Sequence, residues 1–209
     1  MSVDWFRAVN SYCERTGPEY WSEPLNALSN AAFIAAAWVR WRAARRVGDR
    51  GAALLALIVA AIGVGSFLFH THAQVWAMVA DVVPIQAFIL AYIGLATVRL
   101  FGFPWWGGVL AAAAFGPLNG SVGYLPVPIL ILAYALALRL RAPEAARGLA
   151  IGAAILALSL VFRTIDQAAC ATLSVGTHFL WHLLNGIMLG WMILVFVNHR
   201  RSAASANQS

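Results

Sequence analysis

The segment His178-Phe-Leu-Trp-His182 carries two imidazoles four residues apart. On a helix that spacing puts both on one face, as in zinc sites built on helices. Two histidines alone fit a pair of interhelical hydrogen-bonding side chains equally well. His70, in Ser66-Phe-Leu-Phe-His70, supplies a third imidazole and shifts the balance toward a metal. Three neutral histidines that leave a fourth position to water are the ligand set of a catalytic zinc. Ser66 lies one helical turn before His70 on the same face. Its hydroxyl can donate to a developing oxyanion, or simply bond its own backbone. Asp81 is flanked by apolar residues in Val79-Ala80-Asp81-Val82. A carboxylate in such a segment needs a partner: beside a metal it can accept and return a proton, and elsewhere it is a counter-charge to a histidine or arginine. His72 points away from the face of His70, and His199 adjoins Arg200 and Arg201.

These side chains need elements to bring them together. The chain has 209 residues, of which 62% are hydrophobic and 11% charged; a soluble domain carries about 25% charged residues. The composition is that of an integral membrane protein in a lipid bilayer. The net charge of +6 then reads as loop charge that sets topology, with no nucleic-acid partner and no protein partner inferred. All 14 basic side chains are arginine, which excludes a retinal protein, because a Schiff base needs lysine. The polar, mixed-charge N-terminus lacks the pattern of a cleaved signal peptide. An alanine- and arginine-rich, lysine-free chain suggests a bacterial source and an inner-membrane location.

The expected fold class is all-α, an integral membrane bundle of seven transmembrane helices. The spans are 24–41, 51–71, 74–98, 104–115, 122–140, 147–168 and 175–198, each judged against the roughly 20 residues that cross a bilayer. Residues 1–200 form one domain, and 201–209 read as a disordered cytoplasmic tail. With the N-terminus outside and the C-terminus cytoplasmic, the inner segments hold eleven arginines and the outer segments only Arg7, Arg15 and Arg163, as the positive-inside rule requires. On that map His70, Asp81, His178 and His182 share one depth near the outer side. Cys13 and Cys170, the only cysteines, also map there, where an oxidising compartment permits a bridge. Arg163 and Asp166, three residues apart, are expected to pair with each other.

The pattern of Ser66 and His70, Asp81, and His178 and His182 resembles the signature of the CREST superfamily of seven-span hydrolases. The N-terminal stretch narrows this. Cys13, Glu14, Glu23, Asn26, Ser29 and Asn30 resemble the alkaline ceramidase branch. The resemblance implies zinc on His70, His178 and His182, with Ser66 and Asp81 catalytic, and a Cys13–Cys170 disulfide. It also implies a calcium ion near the zinc, with Glu14, Glu23 and the backbone of Tyr12 among its ligands. The aspartate and asparagine of that family site are Ser11 and Thr16 here.

The expectation is a zinc-dependent amidohydrolase that cleaves the N-acyl amide of a ceramide-like membrane lipid to a fatty acid and a sphingoid base. Two alternatives stay open. One is a receptor-like or regulatory seven-span protein with a structural metal. The other is a hydrolase of a different lipid amide or ester.

Overall fold

A computed structural model of the chain describes residues 3–121 and 123–206. The described residues form eight helices and no strand: α1 (Pro24–Ser29), α2 (Ala31–Arg46), α3 (Arg50–His72), α4 (Val75–Phe101), α5 (Trp105–Ser121), α6 (Pro126–Leu138), α7 (Pro143–Ala169) and α8 (His178–Ala206). Four of them, α3, α4, α7 and α8, are long and apolar enough to cross a membrane, and α6 is a shorter apolar helix. Large apolar side chains such as Leu57, Val83, Leu110, Ile129, Leu136 and Ile187 face outward. A contiguous apolar exterior on long helices is a lipid-facing surface. The protein is a membrane protein by this measure.

The helices close into a ring. In order of contact, α3 packs on α4 and α2, α2 on α8, α8 on α7, α7 on α6, and α4 on α5. Among the described residues, α6 touches α4 and α5 only lightly. The expected first span is broken at Asn30, where two helices meet. Its side-chain amide donates to Asn26 O (2.9 Å), as does the Ser29 hydroxyl (2.8 Å). Polar side chains that bond nearby carbonyls compete with the helix ladder, and here they turn the chain. The expected fourth span is longer than its apolar core, running to Ser121. The expected fifth begins at 122, outside the described residues. Helix α8 runs on to Ala206, through most of the stretch read as a tail; residues 207–209 lie outside the described residues.

The site depends on how α3 meets α4. Helix α3 starts at Asp49, whose carboxylate accepts from the Ala52 N–H (2.9 Å) and pairs with Arg99 of α4 (2.9 Å). Small residues Ala52, Ala56 and Gly65 line its buried face, which lets backbones approach closely. The approach is tightest at Gly65: a Cβ there would lie 2.0 Å from Ala80 O on α4. That contact sets Ser66 and Asp81, the next residues on each helix, side by side. Gly65→Ala must therefore push α3 and α4 apart, at the cost of about 1–3 kcal/mol typical of overpacking. Gly116→Ala on α5, where nothing lies within 4 Å of the new methyl, is the control. A melting temperature that falls for Gly65→Ala and not for Gly116→Ala is the expected result.

Candidate metal centre

His70 sits in the last turn of α3, and His178 and His182 in the first turns of α8. All three are buried. One ring nitrogen from each lies within 4.8 Å of the others, the one such cluster among the described residues that could hold a metal ion. The hydrogen bonds decide which nitrogens are free. His70 Nδ1 lies 2.6 Å from Glu23 Oε2. The carboxylate accepts, so Nδ1 carries the proton and Nε2 is a bare lone pair. His70 Nε2 is buried with no partner. His182 Nδ1 lies 2.8 Å from the Ser29 oxygen, whose own proton goes to Asn26 O. His182 thus donates through Nδ1 and turns Nε2 inward, 3.5 Å from Ser66 Oγ. His178 Nδ1 is likewise buried and unpartnered. An unsatisfied buried acceptor costs about 1–3 kcal/mol. Converging lone pairs that lack donors are what a bound cation would satisfy, so the residues present fit a metal.

Two of the three imidazoles are oriented by a hydrogen-bond partner, as metal-binding imidazoles usually are. Glu23, itself buried, joins His70 to the Arg15 guanidinium, which also donates to the carbonyls of Gly17 (3.1 Å) and His70 (2.8 Å). Burial would raise the Glu23 pKa, but the hydrogen bonds and charges of His70 and Arg15 outweigh it and hold the carboxyl below its ordinary value. Glu14 caps α1, with its two oxygens accepting from Leu25 N (2.7 Å) and Asn26 N (2.8 Å). The two glutamates expected to bind calcium therefore have a partner on each of their four oxygens. A guanidinium already supplies the positive charge beside Glu23.

Asp166 corrects one expectation. It makes no ion pair with Arg163 among the described residues. Its carboxylate instead accepts from Thr177 N (2.7 Å), His178 N (2.9 Å) and Cys13 N (2.9 Å). It caps the helix that carries two of the histidines and ties the N-terminal segment to it. Gly176, just before, has φ +64, and a Cβ there would meet Asp166 Oδ1 at 2.2 Å; only glycine fits. Cys13 and Cys170 are bonded as a disulfide, with Cα atoms 5.6 Å apart and a separation of 157 positions in sequence. Such a closure is typically worth about 2–4 kcal/mol. It holds Tyr12, whose ring stacks 3.5 Å from that of His178. Burial pushes the Tyr12 hydroxyl up to about 12, so it stays protonated.

Ser66 and Asp81 reach the same place from α3 and α4. The Ser66 hydroxyl interacts with the Asp81 carboxylate on one side and His182 on the other. Asp81, Tyr12 and His178 line a cavity of about 330 Å³. His72 lies apart, packed against Tyr20 and Trp76. Arg15, Ser29, Tyr12 and Asp166 are the positioning residues that spacing alone does not reveal. No protein-family model matches the sequence, and no protein of curated function matches it.

Purified protein is expected to hold about one metal ion per chain. His178→Ala and His182→Ala should each remove most of it. Glu23→Gln should weaken it by about 10–100-fold, the usual effect of losing a ligand's partner. Metal analysis after dialysis against graded chelator reads all three.

Proposed function

We propose that the protein is a zinc-dependent hydrolase of the lipid bilayer, of the alkaline ceramidase type, that cleaves the N-acyl amide of a ceramide-like lipid. The observation that carries this reading is the Ser66–Asp81 pair beside three histidines. A structural zinc is closed by a fourth protein ligand, whereas a catalytic one has three and an open position. The histidine cluster has three members. A placed hydroxyl and carboxylate are superfluous to a structural metal, which weighs against the receptor-like alternative.

Bound zinc would polarise the lipid carbonyl and make water a nucleophile at neutral pH. His70, His178 and His182 hold it, with Glu23 and Ser29 fixing two of the rings. Asp81 accepts the proton of the attacking water and returns it to the nitrogen as the amide C–N bond breaks. Ser66 donates to the carbonyl oxygen as charge develops there. The acyl oxygen gained from water leaves on the fatty acid, and the amine takes the proton. Next to the polar cavity, and sharing Ile85, Tyr124 and Trp181 with it, lies an apolar cavity lined by Phe33, Ile62, Phe88 and Leu189. A second follows, toward Ile93, Leu130 and Met192. Both are apolar and small, about 50 Å³ each, so an acyl chain entering along them would have to part the side chains that line them.

In this reading α1 with α2, and each of α3 to α8, crosses the bilayer, seven crossings in all. The arginine distribution supports an N-terminus outside and the metal centre near the outer face. A membrane-impermeant reagent should reach a tag at the N-terminus of intact cells and miss one at the C-terminus; the reverse labelling would invert the map.

Asp81→Asn separates catalysis from structure. The substitution keeps size, so zinc content and melting temperature should hold while turnover of a short-chain fluorescent ceramide falls by about 10²–10⁴-fold. Turnover equal to wild type would remove Asp81 from the reaction. Loss of zinc together with activity would make it a structural counter-charge.

A further inference from the structure

Arg163 is not accounted for by the chemistry above. It lies near the end of α7 and lines the same cavity as Asp81 and His178. Its guanidinium carbon sits 5.3 Å from the ring centre of Tyr124 and 5.4 Å from that of Trp181. Two aromatic faces hold the cation in place without neutralising it. It hydrogen-bonds the Tyr12 hydroxyl. Among the described residues no carboxylate lies within ion-pair distance of it, because Asp166 is committed to three backbone N–H groups. An arginine fixed by rings, in no direct ion pair among the described residues, and facing a cavity that it shares with Asp81 beside three histidines is a recognition element for an anion.

The cavity's other charges do not cancel this. Asp81 and Asp166 also line it, and a divalent ion on the histidines would offset both. With that ion and Arg163 together, the cavity would be net positive. Its volume of about 330 Å³ is at the small end for ligand sites, so it takes a compact group and not a second long chain. The apolar lining beyond Trp181 matches an acyl chain in chemistry, and the polar cavity matches the amine half.

We propose that Arg163 determines substrate class: it receives an anionic group, carboxylate or phosphate, carried on the amine half of the amide lipid. This rests on the hydrolase reading and selects, in place of a two-chain ceramide, an amide lipid whose amine half is compact and anionic, such as an N-acyl amino acid. The guanidinium binds the anion side-on while the amide lies at the histidines.

The test compares three amides with the same acyl chain on the zinc-loaded full-length protein: N-dodecanoylglycine, the neutral N-dodecanoylethanolamine, and N-dodecanoylphosphoethanolamine. At least one anionic amide should show kcat/KM about 10–100-fold above the neutral one, the range for a hydrogen bond to a charged group. The faster of the two names carboxylate or phosphate as the source. Arg163→Gln should bring the anionic and neutral rates together through a higher KM, and Arg163→Lys should restore part of the difference. Equal rates in wild type, or an equal loss on all three amides in Arg163→Gln, would overturn the proposal. If no amide is turned over, the hydrolase reading fails and binding decides. A rise in melting temperature with N-dodecanoylglycine, absent with N-dodecanoylethanolamine and absent in Arg163→Gln, upholds the anion site; no rise in wild type removes it.

Discussion

Two lone pairs, on His70 Nε2 and His178 Nδ1, are buried without a donor, and the surrounding structure makes sense only around that fact. Left alone they would be a standing penalty of about 1–3 kcal/mol each. The protein nevertheless fixes the rings in place. Glu23 sets one tautomer and Ser29 another, and Tyr12 covers the third ring by stacking. A fold that orders unsatisfied acceptors from several partners at once is organised for a cation to complete.

Holding the rings is the work of carboxylates acting at a distance in sequence. Glu14 caps α1 and Asp166 caps α8, and in each case the acid comes from outside the helix it caps. Negative charge at a helix N-terminus is favourable in itself. Here it also fixes where that helix begins, and so where its first-turn side chains point. Arg15 does the same through Glu23, since a buried ion pair that loses one partner typically costs about 3–5 kcal/mol. The N-terminal segment is thereby part of the centre, although it lies outside the long helices.

Much of this was legible in the sequence, and the reasons are physical. The four-residue spacings of Ser66 to His70 and His178 to His182 survive because a helix converts them directly into one face. Long apolar runs declared α3, α4, α7 and α8 with boundaries close to those observed, except at the end of α8, which runs on to Ala206. The break at Asn30 was hidden, because it arises from side chains bonding local carbonyls, which composition does not register. The expected Arg163–Asp166 pair failed because helical proximity competes with the demand of orphan N–H groups at the start of α8, and the latter prevailed. Arg15 was read only as a charge for orientation, since its partners come from 8 and 55 residues away. Contacts of that range leave no local pattern.

The disulfide between residues 157 positions apart has a consequence for biosynthesis. Glu23, Ser29, Ser66, His70 and Asp81 leave the ribosome early, whereas His178 and His182 come about 100 residues after Asp81. At the usual pace of translation that interval is roughly 5–20 s. Through it, half a metal site waits in a nascent chain, and Cys13 is a free thiol with no mate. Premature capture of a metal ion by His70, or exchange of Cys13 with a foreign disulfide, would trap an unfinished protein. Closure of the ring is therefore a last step, made when α8 arrives and Asp166 finds both Cys13 and the N-terminus of that helix.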